Sequence, residues 1–110
     1  MLKEIIDKGQ KLGIKEKRRF SDEYCELIVF AKELNDWIDI FTEILGPASK
    51  PAGEKPTLDH LALTKDYGGI YENQILFKKE INNKIILAMV WPWQDKTHVT
   101  LKIAETSKPN

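Results

Sequence analysis

At 110 residues, with hydrophobic side chains at 42% and charged ones at 31%, the chain has the composition of one globular domain and not of a disordered segment. Seventeen basic and seventeen acidic side chains cancel, so the basic surplus that phosphate neutralisation demands is missing, and no apolar run approaches the roughly 20 residues that span a bilayer. Neither nucleic acid nor a membrane is therefore an expected partner; the single cysteine, Cys25, and an opening Met1-Leu2-Lys3-Glu4 without a secretory apolar core lead to the expectation of a reducing, cytoplasmic setting.

In chain order, Leu2, Ile5, Ile6, Gly9 and Leu12 keep helical spacing and predict a short amphipathic helix ending near Gly13, with Gly9 weakening it by about 1 kcal/mol relative to alanine. Residues 1–19 hold seven Lys/Arg against three Asp/Glu, leaving ten against fourteen for the remainder. The excess is concentrated in Lys15, Lys17, Arg18 and Arg19. Such a run is either a solvated patch offsetting acids elsewhere or a contact for an acidic partner. From Ser21 onward the apolar positions Tyr24, Leu27, Ala31, Leu34, Ile38, Phe41 and Leu45 step by three and four to Gly46-Pro47. This predicts one long helix over residues 21–46, roughly 36 Å in length.

Residues 47–57, punctuated by Pro47, Pro51, Gly53 and Pro56, read as a connector. Thr57 caps a predicted short helix carrying Leu58, Leu61 and Ala62 and ending at Gly68-Gly69. A sheet follows over residues 70–105. Strands at 75–81 and 84–91 flank an Asn82-Asn83 turn, pairing Phe77 with Ala88 and Ile75 with Val90. A third strand pairs Val90 with Val99 and Ala88 with Leu101. Both registers send Ile75, Phe77, Ile86, Ala88, Val90, Val99, Leu101 and Ile103 to one face, where the long helix is expected to pack. Residues 106–110 are expected to be a disordered tail. The resulting fold class is α+β within a single domain over 1–110: a three-stranded antiparallel meander against one long helix, with short N-terminal and middle helices.

The same register places Ile85, Leu87, Met89 and Trp91 in an apolar strip on the opposite face, rimmed by Lys78, Glu80, His98, Thr100 and Lys102. Such a strip is covered by the first helix, by a second copy of the chain or another protein, or by a small ligand. Trp91-Pro92-Trp93 holds two indoles in a stiff turn at the end of that sheet, and indoles are efficient anchors. His98 falls beside Trp91, with Thr100 on the same face and Asp95 in the adjoining loop, the parts of an Asp–His base without an adjacent nucleophile. Asp59-His60 and Cys25 lack spaced second ligands, and no HxxxH, HExxH or CxxC is present, so neither metal nor cofactor is expected. Asp36, Asp39 and Glu43 read as the wet side of a helix. Tyr71, after Gly68-Gly69, would line the same end of the sheet. The sequence thus points to a non-enzymatic binding or interaction module centred on Tyr71, Leu87, Met89, Trp91, Trp93, His98 and Thr100, with homodimerisation as one form. A small enzyme or small-molecule-binding protein near Trp91, His98 and Thr100 is the alternative.

Overall fold

The computed structural model describes residues 2–107. Its elements are α1 (Leu2–Gly9), β1 (Ile14–Phe20), β2 (Tyr24–Phe30), a 3-10 turn (Ala31–Glu33), α2 (Leu34–Leu45), α3 (Leu58–Thr64), a second 3-10 turn (Lys65–Tyr67), β3 (Ile75–Ile81), β4 (Lys84–Pro92) and β5 (His98–Ser107). The strands form one antiparallel sheet in the order β1-β2-β5-β4-β3. The α+β class holds, but the three-stranded meander beneath one long helix is overturned: the sheet has five strands, and the stretch expected to be one helix over residues 21–46 is a strand followed by a helix of 12 residues.

The physical reason lies in Tyr24–Phe30. Cys25, Leu27 and Val29 are buried on one face, while Ile28, on the other, is buried as well. A strand covered on both sides loses the polar alternation that marks a half-wet strand, and its apolar residues fall by chance at helical steps. Tyrosine, isoleucine, valine and phenylalanine favour the strand here. The basic segment is likewise not a linker to a helix but the edge strand β1. Its charges suit an edge that must not recruit further strands, and two register shifts twist it, between Ile14 and Glu16 and between Lys17 and Arg19.

The β3–β4 register matches the expectation from the Asn82-Asn83 turn, with Ile75 opposite Val90, Phe77 opposite Ala88 and Asn82 at φ 56°. Between β4 and β5 the pairing is displaced by two residues, Val90 opposite Leu101 and Ala88 opposite Ile103. β4 runs on through Pro92, and Trp93 N–H donates to His98 O (3.0 Å), so the turn closes later than expected. A displacement of two preserves the face of every side chain. Phe77, Ile86, Ala88, Val90, Val99, Leu101 and Ile103 accordingly share one core, with Ile75 packed at its margin. Thr106 and Ser107 complete β5 instead of starting a tail; residues 108–110 of the expected tail lie outside the described residues.

Both α1 and α2 cover this first face. Trp37 and Phe41 of α2 lean on each other and Phe41 on Phe77, with ring centroids 6.2 and 5.3 Å apart, and Leu2, Ile5 and Ile6 of α1 join the same core. Gly9 ends α1 where the Trp37 indole lies; a Cβ there would collide with the ring. The second face of β3 and β4 is covered not by the N-terminal helix but by the middle segment. Leu63 and Tyr67, from α3 and the turn after it, pack with Ile70 on Leu76, Ile85, Leu87 and Met89. Leu63 packs against the sheet, whereas Leu58 and Leu61 of the same helix are exposed.

The connector at 47–57 is stitched to the edge strand by Lys50. Its backbone bridges Leu76, and its buried ammonium donates to Pro51 O (3.0 Å), Glu72 O (3.0 Å) and Gln74 O (2.5 Å). Burial lowers the lysine's pKa, while Glu54 and Glu72 oppose that shift. No helix among the described residues is long and apolar enough to cross a membrane.

Two substitutions test this packing. Gly9→Ala should destabilise the protein by about 1–3 kcal/mol in urea unfolding, because overpacking against Trp37 outweighs the gain in helix propensity of about 1 kcal/mol. An increase in stability would show that the α1–α2 contact is looser than described. Lys50→Met should cost about 3 kcal/mol, since it strands three carbonyls at a buried position; a neutral result in the same assay would mean the ammonium is not their partner.

Candidate functional site

The far end of the second face is built from β1, β2, β5 and the loop after Pro92. Phe30 pairs with His98, Ile28 with Thr100, Glu26 with Lys102 and Tyr24 with Ala104, a row of four positions along two adjacent strands. Trp91 stands opposite Thr100 on the other side of β5. Proline after Trp91 keeps that residue extended, and the loop then folds Trp93 back over β5. Its indole lies 5.1 Å from the His98 ring, and Nε1–H donates to Thr100 Oγ1 at 2.7 Å.

Asp95 organises the loop. Its Oδ1 accepts from Thr97 N–H (2.9 Å) and His98 N–H (3.0 Å), and its Oδ2 lies 2.7 Å from His98 Nδ1. Lys96 takes φ 62° to close the turn. The bond to the His98 side chain, followed by the Thr97 and His98 amides, holds the Asp95 carboxyl down at about 2. On the other side of the ring, His98 Nε2 lies 3.1 Å from Lys15 Nζ. An ammonium only donates, so Nε2 is the acceptor and Nδ1 carries the proton given to Asp95. The contacts run in the order Lys15, His98, Asp95, with both ring nitrogens engaged.

The bulges of β1 determine which cations reach this end. At the first, Lys15 meets His98; at the second, Arg18 lies over the Trp93 ring, 6.0 Å from its centroid, while bonding Glu16 at 3.1 Å. Lys32 sits over Phe30 at 5.8 Å, and Lys96 borders the same hollow of 270 Å³ formed by Phe30, Ala31, Lys32 and Thr97. Trp93 and Phe30 remain half-buried, and Lys15, Arg18, Lys32 and Lys96 are exposed.

Not all expected site residues belong to this cluster. Trp91, Trp93, His98 and Thr100 are brought together. Leu87 and Met89 are fully buried beneath the middle segment. Tyr71 stands out in solvent in the turn before β3, its N–H donating to the Gln74 side chain. Of the basic run, Lys15 and Arg18 join the cluster, Arg19 faces a neighbouring hollow, and Lys17 lies near Phe20, 5.6 Å from its ring centroid. Phe30 and Lys32 are absent from the expected site because a helix was expected there; the Ile28-Val29-Phe30 run was the signal for a strand that would place Phe30 beside His98. His60 serves the fold: its Nδ1 accepts from Thr57 N–H (3.1 Å) in the capping box of α3. Cys25 is buried in the first core, and burial pushes its thiol up to about 11, far from a nucleophile. Among the described residues no three His, Cys, Asp or Glu side chains gather as metal ligands.

The loop should respond to acid. With a folded-state pKa of about 2 against an ordinary 3.8, the ionised Asp95 favours the folded loop above about pH 4, and that contribution declines as the pH falls through 2. Protection of the Thr97 and His98 amides, measured against their intrinsic exchange rates, should fall over that interval, and Asp95→Asn should show the lower protection already at pH 5. Unchanged protection in the variant would remove Asp95 as the organiser.

No family model matches the chain, and no curated protein or solved structure matches it.

Proposed function

We propose that the chain is a non-enzymatic binding module whose working surface is the Trp-Pro-Trp end of the second sheet face, and that it takes an acidic segment of a partner protein. The observation that carries this reading is the ring of exposed cations, Lys15, Arg18, Lys32 and Lys96, around the half-buried aromatic surface of Trp93 and Phe30. Flat rings supply contact area at small entropic cost, and the cations supply steering and register. Of the neighbouring acids, Glu16 is engaged with Arg18, Asp95 with His98 and Glu33 with the Gly13 N–H.

Catalysis is the weaker reading on the same geometry. A general base needs a free lone pair, and the one on His98 Nε2 faces the Lys15 ammonium. The Thr100 hydroxyl is held by the Trp93 indole. The Asp95–His98 pair then works as a rigid support for the loop that presents Trp93.

A decaglutamate peptide is the probe. It should bind at low ionic strength, shift the Trp93 indole resonance, and lose affinity steeply as salt rises. Trp93→Ala and Arg18→Glu should each weaken binding by about tenfold or more, the range expected of an anchor and of a reversed charge at the contact. Absence of binding at low salt would sink the proposal. So would tighter binding of a single-stranded oligonucleotide of equal charge, which would identify a nucleic-acid surface instead.

A further inference from the structure

We infer that a second hollow on this face, between β1 and the turn after α3, is a binding site for a small zwitterion of the free α-amino-acid type. It measures 420 Å³, within the roughly 300–1,000 Å³ common for small-molecule sites. This inference stands apart from the acidic-segment reading, because Trp93 and Lys15 take no part in it.

The hollow is lined by charges of both signs. Arg19 pairs across the strands with Glu26, and Glu26 with Lys102, so three adjacent strands present plus, minus, plus in one row. Asp66, from the 3-10 turn above, adds a second acid. Opposite charges this near each other ordinarily close into ion pairs, yet none of the four does so within the 4 Å of an ion pair among the described residues.

The reason is that the two floor residues are held by other partners. Glu26 accepts from the Tyr24 hydroxyl at 2.8 Å. Lys102 donates to Tyr67 O at 2.8 Å, with its ammonium 3.4 Å from the centre of the Trp91 ring. Burial lowers the lysine's pKa, and the nearby Glu26 acts in the opposite sense. Arg19 and Asp66 have no side-chain hydrogen bond of their own among the described residues.

The walls are equally fixed. Tyr24 and Tyr67 stack nearly parallel, at 11° and 5.6 Å between centroids. Gly68, at φ 101°, keeps the rim low; a Cβ there would lie 2.6 Å from the Trp91 ring and 3.1 Å from Lys102 Nζ. A simple anion would gain Arg19 and Lys102 but face two carboxylates, and a simple cation would meet the reverse conflict. A ligand carrying a carboxylate and an ammonium a few bonds apart satisfies both pairs, the carboxylate on the guanidinium and the ammonium on Asp66.

Titration of isotope-labelled protein with each of the standard free amino acids tests this. At least one should give saturable shifts at the Gly68 and Lys102 amides, whereas acetate and methylammonium at equal concentration should not. Arg19→Met and Asp66→Asn should each weaken binding by about tenfold, the value of one charge-assisted bond, with resonances outside the hollow unchanged as the check on folding. Trp93→Ala should leave amino-acid binding intact while weakening decaglutamate binding by about tenfold or more, so the two readings fail separately. No saturable shift with any amino acid overturns the inference; so do equal shifts with acetate, which would mark a plain anion site, or an unaltered affinity in both charge variants.

Discussion

The pairing of β2 with β5 is the constraint on which the rest of the architecture depends. Seven consecutive residue pairs, from Tyr24 with Ala104 to Phe30 with His98, join the N-terminal hairpin to the C-terminal meander without a shift in register. Because side chains alternate between faces, this one register decides two things together. It gives Cys25, Leu27 and Val29 to the core under α1 and α2, and it lines Phe30, Ile28, Glu26 and Tyr24 alongside His98, Thr100 and Lys102. Slipping by one residue would place Glu26 in the core and turn Leu27 outward. The register that buries the core therefore also assembles the surface proposed to bind.

The C-terminal half of this arrangement was legible in the sequence and the N-terminal half was not. Asn82-Asn83 fixes a hairpin locally, and Ile75, Phe77, Ile86, Ala88 and Val90 alternate clearly enough to identify the inward face. The next turn was harder. Trp91-Pro92-Trp93 gives no indication that the strand continues through the proline, so the third strand was displaced by two residues, an error that leaves the face assignment intact. In Tyr24–Phe30 the failure was one of period: a strand buried on both faces and a buried helix have the same apolar density over seven residues, and the three-and-four spacing continuing to Gly46-Pro47 favoured the helix. Ser21 instead closes the β1–β2 turn, its hydroxyl accepting from Glu23 and Tyr24 N–H.

The apolar strip on the second face was visible too, but its cover was not. Leu63, Tyr67 and Ile70 lie in a segment whose own helical pattern is weak, and only the placement of the connector brings them over Leu87 and Met89. Lys50 supplies that placement. Its three carbonyl partners lie in the connector and just before β3, so the buried ammonium acts as a small polar core joining the two segments. Nothing in a lone lysine between a serine and a proline distinguishes it from a solvated one.

The division of the basic run follows from the same geometry. In a regular strand Lys15 and Lys17 would share one face and Glu16 and Arg18 the other. Two bulges break that alternation: Lys15 reaches His98 and Arg18 reaches Trp93, while Arg19 stays paired with Glu26 on the same face, next to Lys102. An edge strand needs only charge and twist to resist further pairing, and any pattern of lysines would supply the charge. Here the bulges do more, since they direct three cations of β1 to one side of the sheet, two at the Trp93 end and one to the hollow beneath Asp66. A strand serving only as a guarded edge would have no reason to sort its charges in this way, and it is the sorting, more than the number of charges, that argues for ligands on this face.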